Sequence, residues 1–231
     1  MGIGMRLEHL SELRKKLPRA PGINGKDETS GYVVLALLVP VDDEYHFVFE
    51  KRHASIRQGG EICFPGGEFD PQKDKDIKRA AIRETVEEMG NLAQKIKNVG
   101  RLDTLISPMR AIVDVFLGTA DVKMDEFRIN REEVEEVFAI PVSFFEKNEP
   151  ETYCVRVTLH STCLDEGGKE VVLFPAREMN LPEKYHGQWD GGMHRIYVYR
   201  VKQGVIWGLT ARIVRDIVRR LKGGAPVRVV Q

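Results

Sequence analysis

The sequence predicts an α/β fold in which a central mixed β-sheet lies between helices, an α/β/α sandwich. Three observations carry that expectation. Apolar, β-branched runs of strand length stand at Gly31 to Val41, Tyr45 to Lys51 and Ala111 to Ala120. Amphipathic helical runs begin at Ile77 and again in the segment after Val205, and turn-forming glycines and aspartates separate the two periodicities.

In chain order, Leu7, Leu10, Leu13, Arg14 and Leu17 have helical spacing, and Pro18 with Pro21-Gly22 ends that element. This makes residues 1–27 a helical extension that would cover the core or meet a partner. The first two strands should form a hairpin across Asp42-Asp43-Glu44. Asp70 to Lys75 has loop composition, and Asp76 is placed to cap a helix starting at Ile77. Val99 to Ile106 and Ala111 to Ala120 read as strands around Ser107-Pro108-Met109, and Glu132 to Phe138 runs on into Ala139-Ile140-Pro141-Val142. Val155 to Leu159, Val171 to Pro175 and Ile196 to Val201 are further strands, separated by Asp165 to Gly168 and by Asp190-Gly191-Gly192. Residues 205–222 form the last helix, with Thr210 as its cap and Ile213, Val214, Ile217 and Leu221 as its buried stripe. The whole chain, 1–231, reads as one domain.

Composition excludes several function classes. The 35 Lys and Arg are balanced by 35 Asp and Glu, so no general polyanion-binding surface is expected and nucleic acid is disfavoured as a partner. Three cysteines, Cys63, Cys154 and Cys163, lack CxxC spacing, which argues against a disulfide framework or a zinc site. Apolar runs fall short of the roughly 20 residues that span a bilayer, and the start has no secretory apolar region. A cytoplasmic protein without a membrane partner is the expectation. A homodimer stays open.

The chemistry concentrates in Gly66-Gly67-Glu68-Phe69-Asp70 and in Arg83-Glu84-Thr85-Val86-Glu87-Glu88-Met89-Gly90. On a helix, Glu84, Glu87 and Glu88 share one face, while Ile82, Thr85, Val86 and Met89 lie opposite. Crowded carboxylates repel, and a hard divalent ion such as Mg2+ or Mn2+ would relieve the repulsion. The competing reading is a solvated acidic face. Ala80 and Ala81, one turn earlier, would leave room for an ion and its ligand, and Arg83 would pair with Glu87 and fix its rotamer.

These residues resemble the signature of the Nudix hydrolases, G-x5-E-x7-R-E-U-x-E-E-x-G-U with U a bulky apolar residue. Arg83-Glu84, Glu87-Glu88 and Gly90 match. Fifteen residues separate Gly67 from Arg83 where the pattern has thirteen, Lys75 stands where its first glutamate is counted, and Thr85 and Asn91 replace apolar residues. The resemblance implies a Nudix-type sandwich with residues 66–90 as its loop and helix. It implies Glu84 and Glu88 as metal ligands with Glu87 completing the shell, the Gly67 carbonyl as a further ligand, and Arg83 as part of the catalytic set. A small nucleotide diphosphate is the implied substrate.

Upstream, Arg52, Arg57, Gly60 and Phe64-Pro65-Gly66-Gly67 resemble the arm of the coenzyme A pyrophosphatase branch, L-L-T-x-R-[SA]-x3-R-x3-G-x3-F-P-G-G, although Phe49-Glu50 replaces the leucine-threonine pair. Arg52, Arg57, Gly66 and Gly67 are the implied substrate-binding residues, and two guanidinium groups suit a ligand with an extra phosphate. Ile206-Trp207-Gly208-Leu209-Thr210-Ala211 resembles the branch's I-W-G-x-T-A segment. Hydrolysis of coenzyme A or its derivatives to 4′-phosphopantetheine and adenosine 3′,5′-bisphosphate is the leading expectation. Cleavage of ADP-ribose or a dinucleotide, and a non-catalytic nucleotide sensor, are the alternatives. The general base is either a glutamate of the box or one from Glu132 to Glu136.

Overall fold

In the computed structural model, residues 9–20, 22–90 and 92–223 are described. Leu7, Pro21 and Asn91 lie outside that set. The elements in chain order are α1 (His9–Lys16), β1 (Ser30–Val41), β2 (Glu44–Arg52), β3 (Ile62–Cys63), β4 (Gly66–Glu68), α2 (Ile77–Met89), β5 (Ile96–Arg101), β6 (Leu105–Ser107) and β7 (Ala111–Ala120). They continue with β8 (Val134–Pro141), α3 (Val142–Lys147), β9 (Glu151–His160), β10 (Thr162–Leu164), β11 (Glu170–Val172), β12 (Gln188–Val201), β13 (Gly204–Trp207) and α4 (Gly208–Leu221).

β1 organises the main sheet. It runs parallel to β7 from Ser30↔Ala111 to Leu38↔Thr119 and antiparallel to β2 from Leu38↔Phe47 to Val41↔Glu44. The tight turn between β1 and β2 holds Asp42 and Asp43 at φ 46 and 63, the left-handed pair that a two-residue hairpin requires. Alternation along β1 sorts its side chains by face. Val33, Leu35, Leu37 and Val39 join Ala80, Ala81 and Met89 of α2, whereas Ala36 packs with Phe47, Phe49 and Phe145 and with Ala211, Val214 and Ile217 of α4. Helices thus cover both faces of a mixed sheet, the expected α/β/α sandwich.

Towards its start β1 parts from β2, and the chain from Ile62 to Glu68 fills the fork. β3 pairs with Glu50 and Lys51 of β2, and β4 then pairs with Tyr32, Val33 and Val34 of β1. At the bridge between them, Pro65 accepts a hydrogen bond from Leu35 N at 3.0 Å. The fork is where the site forms.

Several expectations need correction. Ala80 and Ala81 are fully buried against β1, so their small size lets α2 approach the sheet and makes no room for an ion. The run from Val99 to Ile106 is interrupted, because Leu102 bonds Val115 in passing while Asp103 and Thr104 leave the ladder. Asp190-Gly191-Gly192 does not separate strands; it is a bulge inside β12. Residues 205–207 are the end of β13, and the helix begins at Gly208 with Trp207 at its N-cap, leaving Thr210 inside the first turn. Leu10 and Leu17 are exposed, so α1 does not cover the core with them. No described helix is long and apolar enough to cross a membrane.

Candidate active site

α2 starts as its sequence predicts, with the Asp76 side chain accepting from Arg79 N. It ends at Gly90, whose φ of 96 and whose closeness to Arg128, 2.8 Å from where a Cβ would sit, exclude other residues. Between these ends the three glutamates present themselves unequally. Glu88 is buried, Glu84 is half-buried and Glu87 is exposed.

Glu88 reaches across to the fork and accepts a hydrogen bond from Gly66 N at 2.9 Å. Glu84 lies directly over Gly67, whose absent Cβ would fall 2.3 Å from Glu84 Oε2. The glycine turn and the glutamates are therefore one unit, and Gly67 is glycine because a carboxylate occupies the space of its side chain.

Arg83 ties this unit together. Its Nη1 donates to Glu87 Oε2 at 2.9 Å, as its spacing predicts, and stands 2.8 Å from Glu84 Oε1. Its strongest partner was not legible in the sequence. Arg83 Nε and Nη2 each donate at 2.9 Å to the buried carboxylate of Asp74, which also accepts from Asp70 N at 3.1 Å. Asp74 is thus the acid that anchors the long loop to the helix, one residue before Lys75. Its hydrogen bonds with Arg83 hold its carboxyl below the usual value and raise the Arg83 guanidinium above its own.

A fourth carboxylate stands in the fork. Glu50, on β2, is 1% exposed, beside Glu88, and its Oε2 has no hydrogen-bond partner among the described residues. Cys63 Sγ contacts its other oxygen at 3.4 Å, and Arg52 Nη1 stands 4.0 Å away. Burial pushes both Glu50 and Glu88 well above the ordinary carboxylate range, and their mutual repulsion adds to the rise on Glu88. Burial also raises Glu84, and it raises the Cys63 thiol. Glu50 could have been suspected from alternation: Phe47 and Phe49 face one side of β2, and Glu50 follows Val48 on the other, an inward position.

An orphaned buried carboxylate oxygen beside a second buried carboxylate is what a divalent cation satisfies. Glu50, Glu84, Glu88 and the backbone at Gly67 are the groups that could hold one. Among the described residues no three such side chains already converge as a finished cage, since Arg83 draws Glu84 to itself and Glu87 faces solvent.

Of the other expected residues, Arg52 belongs to this cluster. Its Nε donates to Arg57 O at 3.1 Å, which turns the Arg52–Gly60 loop back on itself. Arg57 is held here by its carbonyl, and the residue is exposed. The acidic run after α2 also approaches. Asn130 N donates to Glu88 O, His53 N donates to Glu133 O, and the charge of Glu133 reaches Glu50.

The NUDIX domain family model matches residues 31–154, more than half of the chain and all of the elements just described. The chain is 27% identical over 190 residues to an uncharacterized Nudix hydrolase, NudL, of Photorhabdus laumondii, covering 81% of this chain and 84% of that protein. It is 36% identical over 98 residues to the mitochondrial coenzyme A diphosphatase of Homo sapiens, covering 42% and 41%, so the match spans less than half the length of that relative. The NUDIX domain of Shewanella oneidensis NrtR complexed with ADP ribose is a similar solved structure, with a TM-score of 0.43 and 15% identity, covering 60% of this chain and 86% of that one. Nudix hydrolases use divalent metal ions and act on small nucleotide substrates. The chain belongs to the Nudix family and is a Nudix pyrophosphohydrolase.

Proposed function

We propose that one Nudix domain hydrolyses the diphosphate bond of coenzyme A or its derivatives, giving 4′-phosphopantetheine and adenosine 3′,5′-bisphosphate. The observation that supports it most is the Arg52 guanidinium, which stands 4.0 Å from Glu50 at the edge of the carboxylate cluster, on the arm that resembles the coenzyme A branch. The match to a coenzyme A diphosphatase supports the same reading.

Glu84 and Glu88 would hold Mg2+ or Mn2+ with the Gly67 carbonyl, and Glu50 would add a third, buried carboxylate. The ion supplies charge neutralisation for the diphosphate and a lowered pKa for water. Arg83 holds Glu87 and Glu84 in their rotamers from its anchor on Asp74. Arg52 makes a charge-assisted contact to a phosphate oxygen. Gly66 and Gly67 let the turn close on β1 and on Glu84, with Gly66 N already engaged by Glu88, and substrate meets the turn through its backbone. Arg57, more exposed, is the second guanidinium offered to the diphosphate. A base removes a proton from the attacking water as its oxygen bonds to one phosphorus and the bridging P–O bond breaks. Glu133, whose charge reaches Glu50, is the candidate from the acidic run, and Glu87 is the candidate from the box.

The test is a substrate panel with Mg2+ or Mn2+: coenzyme A, dephospho-coenzyme A, ADP-ribose, NADH and diadenosine polyphosphates. Coenzyme A should give the highest kcat/KM, and Arg52→Ala should raise its KM. A preference for ADP-ribose or a dinucleotide, or coenzyme A cleavage indifferent to Arg52→Ala and Arg57→Ala, would overturn the assignment.

A further inference from the structure

Between α4 and the sheet lies a cavity of about 180 Å³ that the glutamate cluster does not use. Val115, Tyr197 and Ile213 line it, and all three belong to the core on the α4 side of the sheet, opposite α2. The glycine turn is nevertheless near. Val115 pairs with Val34 and Val34 pairs with Gly66, two interstrand steps of about 4.8 Å each.

Arg212, Arg215 and Arg219 also line this cavity. Their spacing of three and four puts them on one face of α4, where like charges repel, and each is half-buried. The two carboxylates at the cavity, Asp103 and Asp216, are both engaged by Arg220, at 2.5 and 2.8 Å. Among the described residues, neither Arg215 nor Arg219 has a carboxylate within ion-pair distance. Arg215 and Arg212 lie over the Tyr197 ring at 4.5 and 5.2 Å, and Arg212 donates to Arg195 O at 2.8 Å. Stacking orients these two guanidinium groups without neutralising them. The C-terminal end of the helix dipole favours Arg219 but does not explain a cavity beside it.

We propose that this cavity is a binding site for a phosphate monoester, with Arg215 and Arg219 as the phosphate ligands and Arg212, stacked on Tyr197, as its wall. Guanidinium groups suit phosphate because their paired donors match its oxygens. The apolar floor of Val115 and Ile213 suits the organic part of the ester. Two sources have this chemistry: a phosphate of the bound substrate remote from the bond that is cut, and a free nucleotide phosphate acting as an effector. The first rests on the coenzyme A reading, and the site itself does not.

Calorimetric titration of the metal-free protein with adenosine 3′,5′-bisphosphate tests the site directly. Binding should weaken with added salt, and it should weaken about tenfold or more in Arg215→Gln/Arg219→Gln. Circular dichroism checks that the double variant folds, and Arg219→Gln alone serves if it does not. Absence of binding, or equal affinity in wild type and variant, overturns the proposal. Kinetics separate the sources. A KM for coenzyme A raised in the variant, with dephospho-coenzyme A unchanged, identifies the substrate's phosphate. Lost bisphosphate binding with both KM values unchanged identifies an effector. If wild type cleaves no coenzyme A, the functional reading fails while the titration still decides the site.

Discussion

Asp74 and Arg83 face each other through two parallel hydrogen bonds of 2.9 Å, one end on the loop and the other on the helix that carries the glutamates. The carboxylate is buried, and the arginine that it holds reaches on to Glu84 and Glu87. Removing the anchor leaves Arg83 without its strongest partner. Asp74→Ala should cost about 2 kcal/mol of stability, measured by urea denaturation. It should also weaken Mn2+ binding, because Arg83 then loses the anchor from which it holds Glu84 and Glu87 in their rotamers. Unchanged Mn2+ affinity would separate the anchor from the metal site.

Gly67→Ala should act on chemistry more than on folding. The added methyl falls 2.3 Å from Glu84 Oε2, the far end of a flexible side chain that can swing away. Thermal unfolding should shift little, while kcat/KM falls on the order of 10²-fold, as for other misplaced catalytic groups. A large loss of stability with Mn2+ affinity retained would refute this account.

Glu84→Gln keeps size and removes charge. It should leave the fold intact and lower turnover on the order of 10²-fold or more, the scale seen when one preorganised electrostatic group is lost. Normal turnover would mean that the metal face has been misidentified.

The pair of Glu50 and Glu88 makes stability depend on pH in an unusual direction. Unfolded, both titrate near the ordinary 4.5; folded, both keep their protons to higher pH, Glu50 to about 7. Across that window the native state binds more protons than the unfolded state, so stability of the metal-free protein falls as pH rises. Glu88→Gln should flatten the slope and raise the metal-free Tm near pH 7. With Mg2+ in excess the wild-type trend should reverse, since the ion needs both groups ionised. Thermal melts from pH 4.5 to 8, with and without Mg2+, check each sign.

Much of this was legible in the sequence because it depends on local spacing. The capping Asp76, the helix from Ile77, the tight turn at Asp42-Asp43 and the shared face of the glutamates all follow from residues a few positions apart. Glu50 and Asp74 were missed because their roles depend on which distant segment packs over them. Glu50 meets Glu88 only because β2 parts from β1, and Asp74 meets Arg83 only because the loop folds back. Ala80 and Ala81 show the opposite error, since small size serves equally for an open pocket and for close packing, and spacing cannot tell these apart.

β1 has a part in the site although it supplies none of the glutamates. Val33 faces Gly67 and Val34 faces Gly66 on one edge, while the same two residues face Asp114 and Val115 on the other. The strand therefore works as a ruler, and both the glycine turn and the arginine-lined cavity are measured along it. A slip of one residue would invert every side chain on it and move the turn relative to the glutamates without altering an acidic group. The accuracy of the active site is thus stored in strand register, and substitutions in the middle of β1, which carries no carboxylate of its own, belong among those that can silence the enzyme.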